Sequence, residues 1–219
     1  MQASEMLKYL DHTQLKPVAV WEDIKKICDE AVKYKTASVC IPPCYIQKVR
    51  ETYKDSINIC TVIGFPLGYS TTETKVFETK DALEKGADEI DMVINITDLK
   101  NKEYEKVLDE ISKIKEAAGE HILKVIIETC YLTDEEKIKM CEIITKAGAD
   151  FIKTSTGFGS GGATFEDVKL FSEHIGKNVK IKAAGGVSSI EDMQKFIDLG
   201  CARIGTSRGV SLVQENEVL

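Results

Sequence analysis

Seven short apolar runs recur along the chain, separated by amphipathic segments, and this alternation restricts the possible folds more than any single motif does. The runs, together rich in Val and Ile, are Ser38 to Ile41, Ile57 to Gly64, Glu89 to Ile96, Leu123 to Thr129, Phe151 to Ser155, Lys180 to Ala184 and Arg203 to Ser207. Between them Tyr104, Val107, Leu108, Ile111 and Ile114 share one helix face, and Ile24, Ile27, Cys28, Ala31 and Tyr34 repeat the spacing. Thr133 with Glu136 forms a capping-box signature ahead of Ile138, Cys141 and Ile144, and Gly148 supplies the stop. Ser189 with Asp192 starts a further helix that carries Met193, Phe196 and Ile197 up to Gly200. Continuous apolar runs alternating with helices indicate parallel strands covered by those helices. An eighth strand around Tyr9 to Thr13 completes eight strand-helix units, which in 219 residues fit a single (β/α)8 TIM barrel, one catalytic domain over residues 1–219. An open doubly wound sheet fits less well, because no Gly-x-Gly-x-x-Gly fingerprint follows an early strand.

Asp and Glu total 36 against 29 Lys and Arg, a net charge of −7, which argues against nucleic acid as a partner. No apolar run approaches the ~20 residues that span a bilayer, and Met1 to Glu5 lack a basic region leading into an apolar stretch. The expectation is a soluble, cytoplasmic chain without a membrane partner. The seven cysteines, an odd number, lie mostly in or beside apolar segments, as reduced and buried thiols do. His12, His121 and His174 are scattered, and Cys40 and Cys44 have no second pair to complete a zinc site. No metal and no cofactor is therefore expected.

A weak internal repeat points toward the chemistry. Lys85-Gly86-Ala87-Asp88-Glu89-Ile90-Asp91 resembles Ala147-Gly148-Ala149-Asp150-Phe151-Ile152-Lys153, with Leu199-Gly200-Cys201-Ala202-Arg203-Ile204-Gly205 as a looser third copy. In each a helix ends at Gly and a strand begins, so Asp91, Lys153 and Gly205 should share a depth and a direction. Side chains alternate along a strand. If Ile90, Met92 and Ile94 pack under the helices, Asp91 and Asn95 face the barrel axis; the same parity turns Lys153, Lys180 and Lys182 inward and puts Lys124, Ile126 and Glu128 on one face.

Buried charge is costly unless paired. A salt bridge of Asp91 with one lysine would satisfy charge alone, but it leaves the second inward lysine unexplained. Two neighbouring lysines oppose each other's protonation, so one amine becomes nucleophilic near neutral pH. Two lysines and a carboxylate in a barrel thus suggest Schiff-base chemistry on a carbonyl, and strand parity leaves open whether Lys153 or Lys182 is the nucleophile. At the strand ends, Ala183-Ala184-Gly185-Gly186-Val187, leading to the Ser188/Ser189 helix start, and Gly205-Thr206-Ser207-Arg208-Gly209 occupy the two loops where such barrels hold phosphate. Thr154-Ser155-Thr156-Gly157, followed by Gly159-Ser160-Gly161-Gly162, either contacts substrate or serves as a mobile lid.

The chain resembles the deoxyribose-phosphate aldolase family along nearly its whole length. The resemblance rests on Leu10-Asp11-His12-Thr13, Ser38-Val39-Cys40, Val62-Ile63-Gly64-Phe65-Pro66-Leu67-Gly68, Glu89-Ile90-Asp91-Met92-Val93-Ile94-Asn95, Phe151-Ile152-Lys153-Thr154-Ser155-Thr156-Gly157, Lys182-Ala183-Ala184-Gly185-Gly186 and Arg203-Ile204-Gly205-Thr206-Ser207. It implies a class I aldolase that reversibly cleaves 2-deoxy-D-ribose 5-phosphate to D-glyceraldehyde 3-phosphate and acetaldehyde in deoxyribose phosphate catabolism, as a dimer or tetramer. It further implies Lys153 as the Schiff-base lysine, Lys182 as the lysine that perturbs it and Asp91 as the acid/base carboxylate. Asp11, Thr156, Gly157, Gly185, Gly186, Gly205, Ser207 and Arg208 then fall among the residues that hold substrate hydroxyls and phosphate. The chain departs from some members at Phe158, where they carry lysine, at Arg208, where they carry a small hydroxyl residue, and at its end, Glu215 to Leu219, where they carry tyrosine. A phosphosugar isomerase or another Schiff-base lyase would release no acetaldehyde, and a non-catalytic phosphate binder would have no use for two inward lysines and Asp91.

Overall fold

The computed structural model describes residues 1–217; Val218 and Leu219, part of the tail that lacks a tyrosine, lie outside them. Eight parallel strands close into a barrel in sequence order: β1 (Leu10–Thr13), β2 (Ser38–Ile41), β3 (Ile59–Ile63), β4 (Glu89–Val93), β5 (Ile122–Ile126), β6 (Phe151–Lys153), β7 (Lys180–Ala184) and β8 (Cys201–Thr206). The barrel shuts where β1 pairs with β8, with Asp11 opposite Gly205 and His12 opposite Thr206. The helices are α1 (Ala3–Met6), α2 (Trp21–Tyr34), α3 (Ile46–Tyr53), α4 (Thr72–Glu84), α5 (Ile96–Lys100), α6 (Tyr104–Ala118), α7 (Asp134–Ala147), α8 (Phe165–His174), α9 (Ile190–Asp198) and α10 (Gly209–Glu217).

The expected start signals operate. Thr133 Oγ1 accepts the Glu136 amide at 3.3 Å while Glu136 Oε2 accepts the Thr133 amide at 2.8 Å, and Ser189 and Asp192 make the equivalent exchange. These side chains satisfy amides that have no partner within the helix. Ile90, Met92, Ile94, Val125, Ile152 and Ile181 are buried in the layer between strands and helices, as the alternation requires. The interior face carries the charged side chains, together with apolar ones such as Val62, Ile126 and Phe151 that lie in register with Asp91, Lys153 and Lys124.

Several strands are shorter than the apolar runs because the chain leaves the sheet early to build the mouth of the barrel. Asn95, expected to face the axis, caps α5 instead, accepting the amides of Thr97 and Asp98. Glu128 lies beyond β5 in a left-handed conformation, φ 51°. Lys180, expected inward within the barrel, opens β7 at the opposite rim, where it is exposed with its ammonium 5.7 Å from the Phe151 ring centroid.

A buried ion pair braces the mouth from outside. Lys75 of α4 donates to the Val93 carbonyl at 2.8 Å and to Glu110 of α6 at 2.6 Å. The other Glu110 oxygen accepts the Asn95 amide at 3.0 Å. Burial lowers the Lys75 pKa and raises that of Glu110, each partly offset by the other.

Candidate active site

Strand parity brings seven ionisable side chains from six strands together inside the barrel. Asp91 of β4 is the hub: its Oδ2 accepts Lys153 of β6 and Lys182 of β7, each at 2.7 Å, and its Oδ1 accepts Lys124 of β5 at 3.0 Å and the Cys60 thiol at 3.1 Å. Beneath it, Asp11 of β1 bonds Lys182, Arg203 of β8 and the Ser38 hydroxyl, while Glu89 of β4 bonds Lys124 and Arg203. Gly205 completes the packing: a methyl group there would sit 3.2 Å from Lys182 Cε and 3.1 Å from the Ala184 methyl. Asp91, Lys153 and Gly205 thus converge as their shared place in the repeat predicts.

Four cations face three carboxylates in this cluster. Burial by itself would raise Asp91 and Asp11, but the surrounding lysines, with Arg203 at Asp11, outweigh it and hold both well below the usual carboxylate range. Burial would lower Lys182, yet Asp11 and Asp91 outweigh it and raise its pKa above that of ordinary lysine. Lys124 is raised in the same way by Asp91, Cys60, Asp11 and Glu89. These groups therefore remain charged near neutrality.

Above the cluster opens a cavity of about 490 Å³, and Lys153 is the one member of the seven that lines it. Gly157, Gly185, Gly186, Gly205, Ser207 and Arg208 line it as well. Gly185 has φ +78°, and a methyl group there would come within 3.1 Å of Gly162 Cα, so the loop after β7 needs glycine at this point. The amides of Ser188 and Ser189, at the helix start expected to receive phosphate, donate to Asp192 instead. Asp11, expected to touch substrate, is fully buried below Lys182 and away from the cavity.

Thr156 lines the cavity, but its hydroxyl is engaged: it donates to Glu128 and accepts the Phe158 amide at 3.0 Å. The Glu128 carboxylate also takes the Thr156 amide at 3.2 Å. This buried carboxylate, on a residue with left-handed backbone, staples the loop after β6 in place. Phe158 packs edge-on against Phe65, ring centroids 5.4 Å apart, at the rim.

Sequence reasoning missed the roles of Glu89, Lys124, Arg203 and Glu128. Signals existed for more than one of them: strand parity already grouped Lys124 with Glu128 on one face, and Glu89 and Arg203 both stand three residues after a repeat glycine and so share the inward parity of Asp91 and Gly205. Cys40, Cys60 and Asp91 offer a possible ligand set within 4.8 Å. Ammonium groups and the Cys60 thiol already surround that carboxylate, which makes the set a poor fit to a cation.

The sequence model described as DeoC/LacD family aldolase matches residues 5–213. The deoxyribose-phosphate aldolase of Clostridium botulinum (strain Alaska E43 / Type E3) is 67% identical over 217 residues, covering 99% of this chain and 98% of that protein. The corresponding protein of Clostridioides difficile (strain 630) is 63% identical over 97% of this chain and 96% of its own length. Among solved structures, the tetrameric deoxyribose phosphate aldolase from Aeropyrum pernix superposes with a TM-score of 0.91 at 30% identity, covering 99% and 92% of the two chains.

Proposed function

The chain belongs to the DeoC/LacD family of aldolases, and from that premise we propose that it cleaves 2-deoxy-D-ribose 5-phosphate reversibly to D-glyceraldehyde 3-phosphate and acetaldehyde through a Schiff base on Lys153. The observation that carries the reading is that, of the seven clustered groups, Lys153 alone reaches the cavity. Lys153 pairs with one carboxylate, whereas Lys124 and Lys182 are each held by two or more. Contacts and access thus favour the same amine.

In the cleavage direction the free Lys153 amine adds to the C1 aldehyde of the open-chain sugar, and the carbinolamine loses water to give an iminium. Removal of the C3 hydroxyl proton breaks the C2–C3 bond, releasing glyceraldehyde 3-phosphate and leaving an enamine on Lys153. Protonation of C2 and addition of water then release acetaldehyde. Asp91, 2.7 Å from both Lys153 and Lys182, carries protons between amine and substrate by way of water; held so far below the usual range, it passes a proton on rather than keeping it. Lys182 stays cationic and opposes protonation of Lys153. The loops carrying Gly185, Gly186, Gly205, Ser207 and Arg208 receive the phosphate.

The chemistry uses an amine in place of a metal ion and needs no cofactor. The reading places the enzyme in the cytoplasm, in the breakdown of deoxyribose phosphates. It works as a dimer or tetramer, a reading supported by the tetrameric Aeropyrum pernix relative. Borohydride reduction with acetaldehyde present, followed by peptide mass spectrometry, tests the mechanism. An ethyl group on Lys153 is expected, and folded protein without an adduct would overturn the Schiff-base route.

A further inference from the structure

The cavity has a charge pattern opposite to that of the whole chain. Acids outnumber bases 36 to 29 in the sequence, yet no Asp or Glu lines the cavity, while Lys16, Lys153 and Arg208 do. Lys153 is committed to Asp91. Lys16, in the loop after β1, and Arg208, in the loop after β8, are both exposed, and among the described residues neither side-chain cation has an ion-pair or hydrogen-bond partner. The loops that carry them are neighbours, because β1 and β8 form the closing seam of the barrel. The loop after β6 contributes Thr156, Gly157 and Phe158 to the lining, and thus no cation.

Unpaired cations around a cavity without acids concentrate anions there. A phosphate monoester is largely a dianion near neutral pH. Backbone amides at Gly185 and Gly186 offer partial charges only, the nearby α9 start is occupied by Asp192, and one guanidinium compensates a single charge. We propose that Lys16 is a specificity-determining residue, which with Arg208 forms a two-cation clamp across the β1/β8 seam for the phosphate of the substrate. Arg208 supplies a planar fork and Lys16 a flexible point charge, so the pair neutralises a dianion approaching from solvent. The inference deepens the aldolase reading and rests on it for the sugar, while the anion site itself can be tested without turnover.

The experiment compares wild type with Lys16→Met, Lys16→Arg and, as a charge-matched control at the far end of the barrel, Lys177→Met. Inorganic phosphate is titrated against each protein by calorimetry, and kcat/KM is measured for 2-deoxyribose 5-phosphate and for unphosphorylated 2-deoxyribose. In Lys16→Met the phosphate dissociation constant rises by about tenfold and the preference for the phosphorylated sugar falls by a similar factor, the scale of one charge-assisted contact. Lys16→Arg restores most of both, and Lys177→Met resembles wild type. Unchanged phosphate affinity in Lys16→Met would overturn the clamp, leaving the aldolase assignment standing. Wild type that cleaves neither sugar would overturn the assignment, whereas the titration would still decide the clamp.

Discussion

Lys153 and Lys182 share one carboxylate oxygen, Asp91 Oδ2, at 2.7 Å each. Two ammonium groups on one oxygen repel each other, and the outcome is decided by what else each touches. Lys182 has a second carboxylate in Asp11, whereas Lys153 faces the cavity. Lys182→Met removes the cation that opposes protonation of Lys153, so kcat should fall by about 10²–10⁴-fold. Steady-state kinetics measured beside borohydride trapping check it.

Asp91→Asn keeps the shape of the hub and removes its charge. Asp91 does not line the cavity, so turnover should drop by about 10²-fold or more with inorganic phosphate affinity little altered. Equal losses in both would mark Asp91 as a structural counterion.

Glu128→Gln and Thr156→Val each release the loop after β6. Each should lower kcat/KM by about tenfold. Because the two side chains form one hydrogen bond, the double variant should cost little more than either single one. Additive losses would show that the staple is not what matters.

Lys75→Met leaves Glu110 buried without its counter-charge, at a cost of about 3–5 kcal/mol. A fall in melting temperature on the order of 10 °C should follow. Replacing both residues with apolar ones, Lys75→Met with Glu110→Leu, should recover much of it; thermal denaturation of the three proteins decides.

Stability should fall at both ends of the pH scale. Burial raises the Cys28, Cys141 and Cys201 thiols to about 12. A raised folded-state pKa gives stabilisation that is complete below the unfolded value near 9 and is lost as pH climbs from there toward about 12. The lowered Asp11 and Asp91 act in the other direction: their contribution is present above about pH 4 and is lost as acid protonates them. Native protein at pH 8 should therefore show two quickly alkylated thiols, the exposed Cys44 and Cys130, and five slow ones. Denaturation curves across pH and timed alkylation with mass spectrometry test the two statements.

The barrel was legible because its strands are buried on the helix side by Ile90, Met92, Ile152 and Ile181, whose period of two is unmistakable. The same period exposed Asp91, Lys153 and Lys182. It failed at Asn95 and Glu128, where the chain has already left the ladder and parity no longer governs direction. The Lys75–Glu110 pair was invisible because polar residues on helices read as solvent-facing. Only the packing of α4 against α6 and the strand ends reveals that they are buried. Lys16 gave no sequence signal, being an ordinary loop lysine until barrel closure sets its loop beside that of Arg208.

The pairing of Asp11 with Arg203 joins residues 192 apart in sequence. On a ribosome adding ~5–20 residues per second, the carboxylate is made roughly 10–40 s before its guanidinium partner. A nascent chain that tucked β1 away early would enclose Asp11 before Lys182 and Arg203 exist to pair with it, and the barrel closes only once the last strand is made. Until then β1 and β7 are open edges, and the interval is when this chain most needs shelter from its neighbours.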